Sequence, residues 1–78
     1  MMSSIIYYHA GCPVCIEAER TVVSELQKVS DVTIVNLGED KTSLADAKSA
    51  GVQSVPALVI NGLSFHINFG AALSALES

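Results

Sequence analysis

Hydrophobic and polar positions alternate along the chain with two distinct periods, and the switches between them divide it into elements. "SIIYYHA" (residues 4 to 10) is β-branched and aromatic, with apolar side chains on both alternating faces. Such a run suits a central strand covered on both sides. From Pro13 the spacing becomes helical: in "PVCIEAERTVVSELQKV", Val14, Ala18, Val22, Leu26 and Val29 recur every three or four residues. Pro13 fits the first turn, where its missing N–H would have had no partner. Glu17 and Glu19 early and Lys28 late agree with the helix dipole. "DVTIVNLG" (31 to 38) reads as a second strand, and strand–helix–strand predicts a parallel pair with a right-handed crossover.

Ser43 followed by Asp46 reads as a capping box, with Asp in the place of the preferred Glu, opening a helix over "LADAKSA" that stops at Gly51. "PALVI" and "LSFHI" flank Asn61-Gly62, the strongest short-range hairpin signal. "AALSALES" (71 to 78) reads as a short apolar helix that depends on tertiary packing. The order is β-α-β-α-β-β-α: an α/β fold with a four-stranded mixed sheet flanked by helices.

The 78 residues suffice for one domain, spanning 1–78, near the lower size limit for unaided folding. Half of them are apolar and 15% are charged, which argues for a packed core and against disorder. The net charge of −4, with four basic residues, argues against nucleic acid as a partner. "MMSSIIYYHAG" has no basic leader region, and no apolar run approaches the roughly 20 residues of a membrane span. The expectation is a cytosolic protein, where a reactive dithiol is more ordinary than a structural disulfide.

The candidate chemistry lies in "HAGCPVCIEAER" (9 to 20), where Cys12 and Cys15 are three apart as a strand gives way to a helix. With the helix starting near Pro13, Cys12 falls at its N-cap and Cys15 one turn inside. Unpaired N–H groups and the positive dipole end there favour a thiolate on Cys12. The asymmetry suits attack by Cys12 and release by Cys15. C-x-x-C is also a zinc-knuckle spacing, and His9, Cys12, Cys15 and His66 have the composition of a Cys₂His₂ site. The predicted hairpin, however, puts His66 on an outer strand, away from the helix start, so no metal is assigned. His9, three residues before Cys12, is a candidate to stabilise the thiolate or shuttle a proton; the alternative is a strand-end histidine with a backbone partner. Tyr7 and Tyr8 read as core, and Glu17, Glu19, Arg20 and Glu25 as a solvated helix face with the two early glutamates opposing the dipole at Cys12.

The βαβ setting of the dithiol makes it read as a redox motif, and here the chain resembles the thioredoxin-like superfamily over essentially its whole length, closest to the small glutaredoxin-like thioredoxins. Cys12-Pro13-Val14-Cys15 resembles the glutaredoxin form Cys-Pro-Tyr-Cys, with Val14 in place of tyrosine. "SVPALVINGL" (54 to 63) resembles the segment in which a cis-proline precedes the third strand. The resemblance implies a cis Val55–Pro56 bond beside the dithiol, with the Val55 main chain docking an extended substrate.

Departures matter too. Glutaredoxins have a glycine pair and an acidic or hydroxyl residue after the last strand to hold glutathione; here "SFHINFGAAL" offers Gly70 alone and no carboxylate. Many relatives have Lys or Arg at the position of His9. Standard thioredoxins have Trp-Cys-Gly-Pro-Cys and a buried acid on the first strand, and this chain has neither. The expectation is a thiol–disulfide oxidoreductase acting on protein disulfides, with Cys12 as nucleophile, Cys15 as resolving thiol, and Pro56, Val55, His9 and Pro13 in support. It is expected to need no cofactor beyond its own disulfide, to be served by an upstream reductase, and to be a monomer. The alternatives are a glutaredoxin using glutathione as co-substrate, a metal- or metalloid-binding module, and a redox-inert interaction domain.

Overall fold

The computed structural model describes residues 4–76. The expected β-α-β-α-β-β-α order is present: β1 (Ile5–His9), a helical rod, β2 (Thr33–Asn36), α3 (Leu44–Ser49), β3 (Ser54–Ile60), β4 (Leu63–Ala72) and α4 (Leu73–Leu76). The rod runs α1 (Pro13–Ala18), a π-helical turn (Glu19–Val23) and α2 (Ser24–Leu26). The sheet order is β2-β1-β3-β4. β1 and β2 are parallel, with Tyr7 opposite Ile34, and both β1–β3 and β3–β4 are antiparallel. β1 and β3 are therefore central, which is why both of their faces are apolar.

Alternation along these strands divides the core in two. Ile5 and Tyr7 of β1 and Leu58 of β3 pack with Ala18 and Val23 of the rod. Tyr8, Val55, Ala57 and Val59 face the other side, with Leu44, Ala47, Val52 and Leu73. The Asn61-Gly62 hairpin forms as expected. Both residues have positive φ (51° and 84°), as a two-residue type I′ turn requires, and Ile60 pairs with Leu63.

Four details differ from the sequence reading. The rod ends at Leu26 instead of Val29, which is 83% exposed, and its buried face is Cys15, Ala18 and Val23, with Val22 36% exposed. The cause is the π turn, in which Ser24 N–H donates to the Glu19 carbonyl: the extra residue rotates the face so that Val23 points inward. Second, Ser43 forms no capping box. Its hydroxyl, like that of Thr42, donates to the Asp40 carboxylate, and a 3₁₀ turn (Lys41–Ser43) leads into α3; these bonds hold the Asp40 carboxyl below its ordinary range.

Third, β4 is ten residues long, where the strand was expected to stop near Ile67. It bulges where Pro56 interrupts β3, then rejoins with Ala71 opposite Val55 and Ala72 opposite Ser54. Fourth, the final helix consequently starts at Leu73 instead of residue 71. Residues 77 and 78 of that expected helix, and residues 1–3 of the N-terminal reading, lie outside the described residues.

Tyr7 is the largest fully buried side chain, and its hydroxyl donates to the Cys15 carbonyl at 2.5 Å. Burial, aided by the Glu19 carboxylate, pushes this phenol from 10.0 up to about 12, and burial raises Tyr8 as well. A phenol is neutral while protonated, so the folded state retains a proton that the unfolded chain releases near pH 10. The contribution of this phenol to stability should thus be constant below about pH 10 and fall between about pH 10 and 12. Stepwise denaturation with tyrosinate absorbance would follow this; an ordinary tyrosinate midpoint in the folded protein would refute it. Tyr7→Phe should cost about 1 kcal/mol at neutral pH through the lost hydrogen bond and remove much of the alkaline decline.

Candidate active site

β1 delivers the chain to the dithiol. After His9 it turns at Gly11, whose φ of 73° is left-handed and open to glycine at little cost, and enters α1 at once. Cys12 is the N-cap in extended conformation (φ −71°, ψ 160°), Pro13 occupies the first turn, and Cys15 lies one turn in. The sulfurs are joined in a disulfide with the Cα atoms 4.9 Å apart. The Cys15 backbone N–H donates to Cys12 Sγ at 3.1 Å, satisfying a helix-start donor. In the reduced protein the same N–H would favour a thiolate there. Cys12 is half-buried and Cys15 fully buried, so an incoming group has access to Cys12.

The second wall comes from β3. The Val55–Pro56 bond is cis, and both residues are fully buried. The Val55 main chain, expected to dock substrate, pairs in register with Ala71 of β4. The third wall is Gly70, on the β4 bulge. A side chain there would drive its Cβ into Cys12 Sγ and bring it to 3.0 Å from the Val55 carbonyl and 3.6 Å from Cys15 Sγ. Gly70 thus lets the β4 backbone lie directly against the disulfide. Sequence reasoning took it only as a lone glycine where glutaredoxins have a pair. The available signal was its lack of any turn or helix end to serve, unlike Gly62 and Gly51.

The other candidates separate. His9 Nδ1 accepts from the Gly11 backbone N–H at 3.1 Å, and the ring stacks on Tyr7, centroids 5.4 Å apart; this is the strand-end arrangement with a backbone partner. His66 lies on β4 opposite Ala57, with Nε2 accepting from Gln53 N–H at 3.1 Å. Among the described residues no three or more His, Cys, Asp or Glu gather as a metal-binding group. Glu17 pairs with Arg20 and Glu25 with Lys28 on the exposed face of the rod. Tyr7, read from sequence only as core, also fixes the dithiol helix through the Cys15 carbonyl.

Strand order, cis-proline and a C-x-x-C pair opening the helix after β1 define a thioredoxin-like domain. The solution NMR structure of a dimeric thioredoxin-like protein from Nitrosomonas europea superposes with a TM-score of 0.90 at 52% sequence identity, covering 100% of this chain and 99% of that one. The chain belongs to the thioredoxin-like proteins. No family model matches the sequence, and no curated relative matches it. The neighbour's description as dimeric runs against the monomer expected from the sequence.

The Gly70 contact can be tested directly. Gly70→Val should destabilise the oxidised protein by roughly 1–3 kcal/mol, the usual cost of overpacking, with Gly70→Ala intermediate. Thermal melting of the oxidised forms measures this. An unchanged melting temperature would mean that β4 does not lie against the sulfurs.

Proposed function

We propose that this protein is a thiol–disulfide oxidoreductase that donates electrons from the Cys12–Cys15 dithiol to protein disulfides. The observation that carries the reading is the asymmetry of the pair: Cys12 at the helix N-cap, half-buried and accepting the Cys15 N–H, against Cys15 fully buried. In the forward direction the Cys12 thiolate attacks one sulfur of a substrate disulfide. A mixed disulfide forms and one substrate thiolate leaves, taking up a proton. Cys15 then gives up its proton and attacks Cys12 Sγ, closing the internal disulfide and expelling the second substrate thiol. Two electrons and two protons pass to the substrate, and an upstream reductase or glutathione returns them.

The dithiol is the only redox group this cycle requires. Pro56 and Val55 would form the wall beside the attacked sulfur, Pro13 would start the helix, and His9 would stand at the strand end leading to it. We place the protein in the cytosol, on its cysteine usage; among the described residues no helix is long and apolar enough to cross a membrane. In place of the expected monomer we propose a dimer, on the description of the 52% identical neighbour.

The decisive experiment is intact mass after equilibration in buffers of defined thiol–disulfide potential. A cooperative loss of two hydrogens is expected, its midpoint giving the direction of electron flow. Cys12→Ser should abolish exchange, and Cys15→Ser should accumulate as a mixed disulfide with the protein substrate. If the trapped partner is glutathione instead, the glutaredoxin reading replaces this one. Absence of any two-hydrogen transition, or a retained metal ion, would sink it in favour of a binding module.

A further inference from the structure

β4 is an edge strand of the sheet, and over ten residues, "LSFHINFGAA", it carries no charge and no proline. Those are the usual devices that keep an exposed edge from pairing with another chain. Its two faces are treated differently. Ser64 and His66 turn toward the α3 side, where the Ser64 hydroxyl donates to the Gly51 carbonyl and His66 accepts from Gln53 N–H. Leu63 and Phe65 alternate onto the opposite face, and Ile67 follows them before the bulge over residues 67–70 breaks the alternation. Ile67 packs against the cluster of Ile5, Tyr7, Ala18, Val23 and Leu58, while Leu63 is 64%, Phe65 49% and Phe69 67% exposed.

The uncovered face follows from the topology. The rod packs on β1 and β3 through Ala18 and Val23. The helix after β4 goes to the other side of the sheet: Leu73 joins Leu44, Ala47 and Val52, and Lys41 Nζ donates to the Leu76 carbonyl at 3.0 Å. Leu63 and Phe65, two residues apart on one face of an edge strand, form an apolar patch, and the exposed Phe69 lies further along the same strand in the bulge.

We propose that this face and edge of β4, centred on Leu63 and Phe65, is the surface on which a second copy of the chain packs. The inference rests on the dimer proposed above and goes beyond it by locating the interface. Charge permits a second copy only on a surface such as this: with a net charge of −4, two identical chains repel, and the uncharged strand is where that repulsion is least. Geometry favours it. A two-fold axis beside β4 sets two such strands antiparallel, so the free N–H and C=O groups of each edge meet their counterparts and the sheets join. The neighbour that matches 99% of its own length to this chain is itself a dimer.

Sedimentation velocity across a wide concentration range tests this on the wild type, on a Leu63→Lys/Phe65→Lys double variant, and on Val29→Lys, an exposed apolar position in the turn after α2. The expected result is a dimeric wild type and Val29→Lys protein, with the double variant dissociating at least about a hundredfold more readily. Both substituted positions are substantially exposed, and circular dichroism melting verifies that the variant folds. Amide hydrogen exchange on the wild type needs no variant: the outward N–H groups of β4 should be protected at dimer concentrations and lose protection on dilution. A monomeric wild type at every concentration defeats the dimer reading itself. A dimeric wild type with an equally dimeric double variant, or with unprotected β4 amides, leaves the dimer standing and overturns its placement on β4.

Discussion

One buried hydroxyl ties the first turn of the dithiol helix to the sheet. Tyr7 enters the core from a central strand, and its phenol reaches the carbonyl of Cys15. That carbonyl also receives the Glu19 N–H at the point where the helix widens into its π turn. Two demands meet there. The first turn must present Cys12 and Cys15 to the β3 loop, and the far end must still bury an apolar side chain over Ile5 and Leu58. A regular helix from Ala18 would carry Val22 inward; one extra residue brings Val23 there and leaves the first turn anchored by Tyr7. The rotation of the rod and the position of the sulfurs are thus aspects of one constraint.

The sequence was most legible where structure depends on neighbouring residues. The Asn61-Gly62 turn, the proline opening α1, the strand alternation and the Cys12 N-cap are local matters, and the structure has all of them. The cis bond before Pro56 came from resemblance, not from any local signal. What escaped the sequence is tertiary in origin. A π turn leaves no mark in a three-or-four spacing, so Val22 was preferred to Val23. Ser43 had two possible partners, and the carboxylate of Asp40, brought near by the 3₁₀ turn, took its hydroxyl. The full length of β4 depended on whether the chain could resume pairing after a bulge, which Ala71 opposite Val55 decides.

Gly70 illustrates the same limit at the candidate site. Nothing within a few residues requires a glycine there, since its backbone is not in the left-handed region. The requirement comes from Cys12, nearly sixty positions earlier, and from the carbonyl of Val55. A family comparison reads this position as a departure, one glycine where glutaredoxins have two. The geometry gives it a positive role: absence of a side chain allows backbone to close one side of the disulfide, so that Cys12 remains only partly open while Cys15 is sealed.

This arrangement ties the edge of the sheet to the sulfurs. Phe69, two-thirds exposed in the β4 bulge, immediately precedes the glycine that lies against Cys12 Sγ. The bulge that carries both has no partner on β3 between Val55 and Ala57, so the ladder does not fix it from the inside. A copy packed along β4 supplies support from the outside, steadying the backbone that leads into the bulge. On the proposed interface, dimerisation and the shape of the sulfur pocket are then mechanically linked through a single peptide unit. The lack of charge along β4 serves both ends of that link: it permits two acidic chains to meet, and it keeps carboxylates of that strand away from Cys12, the proposed nucleophile.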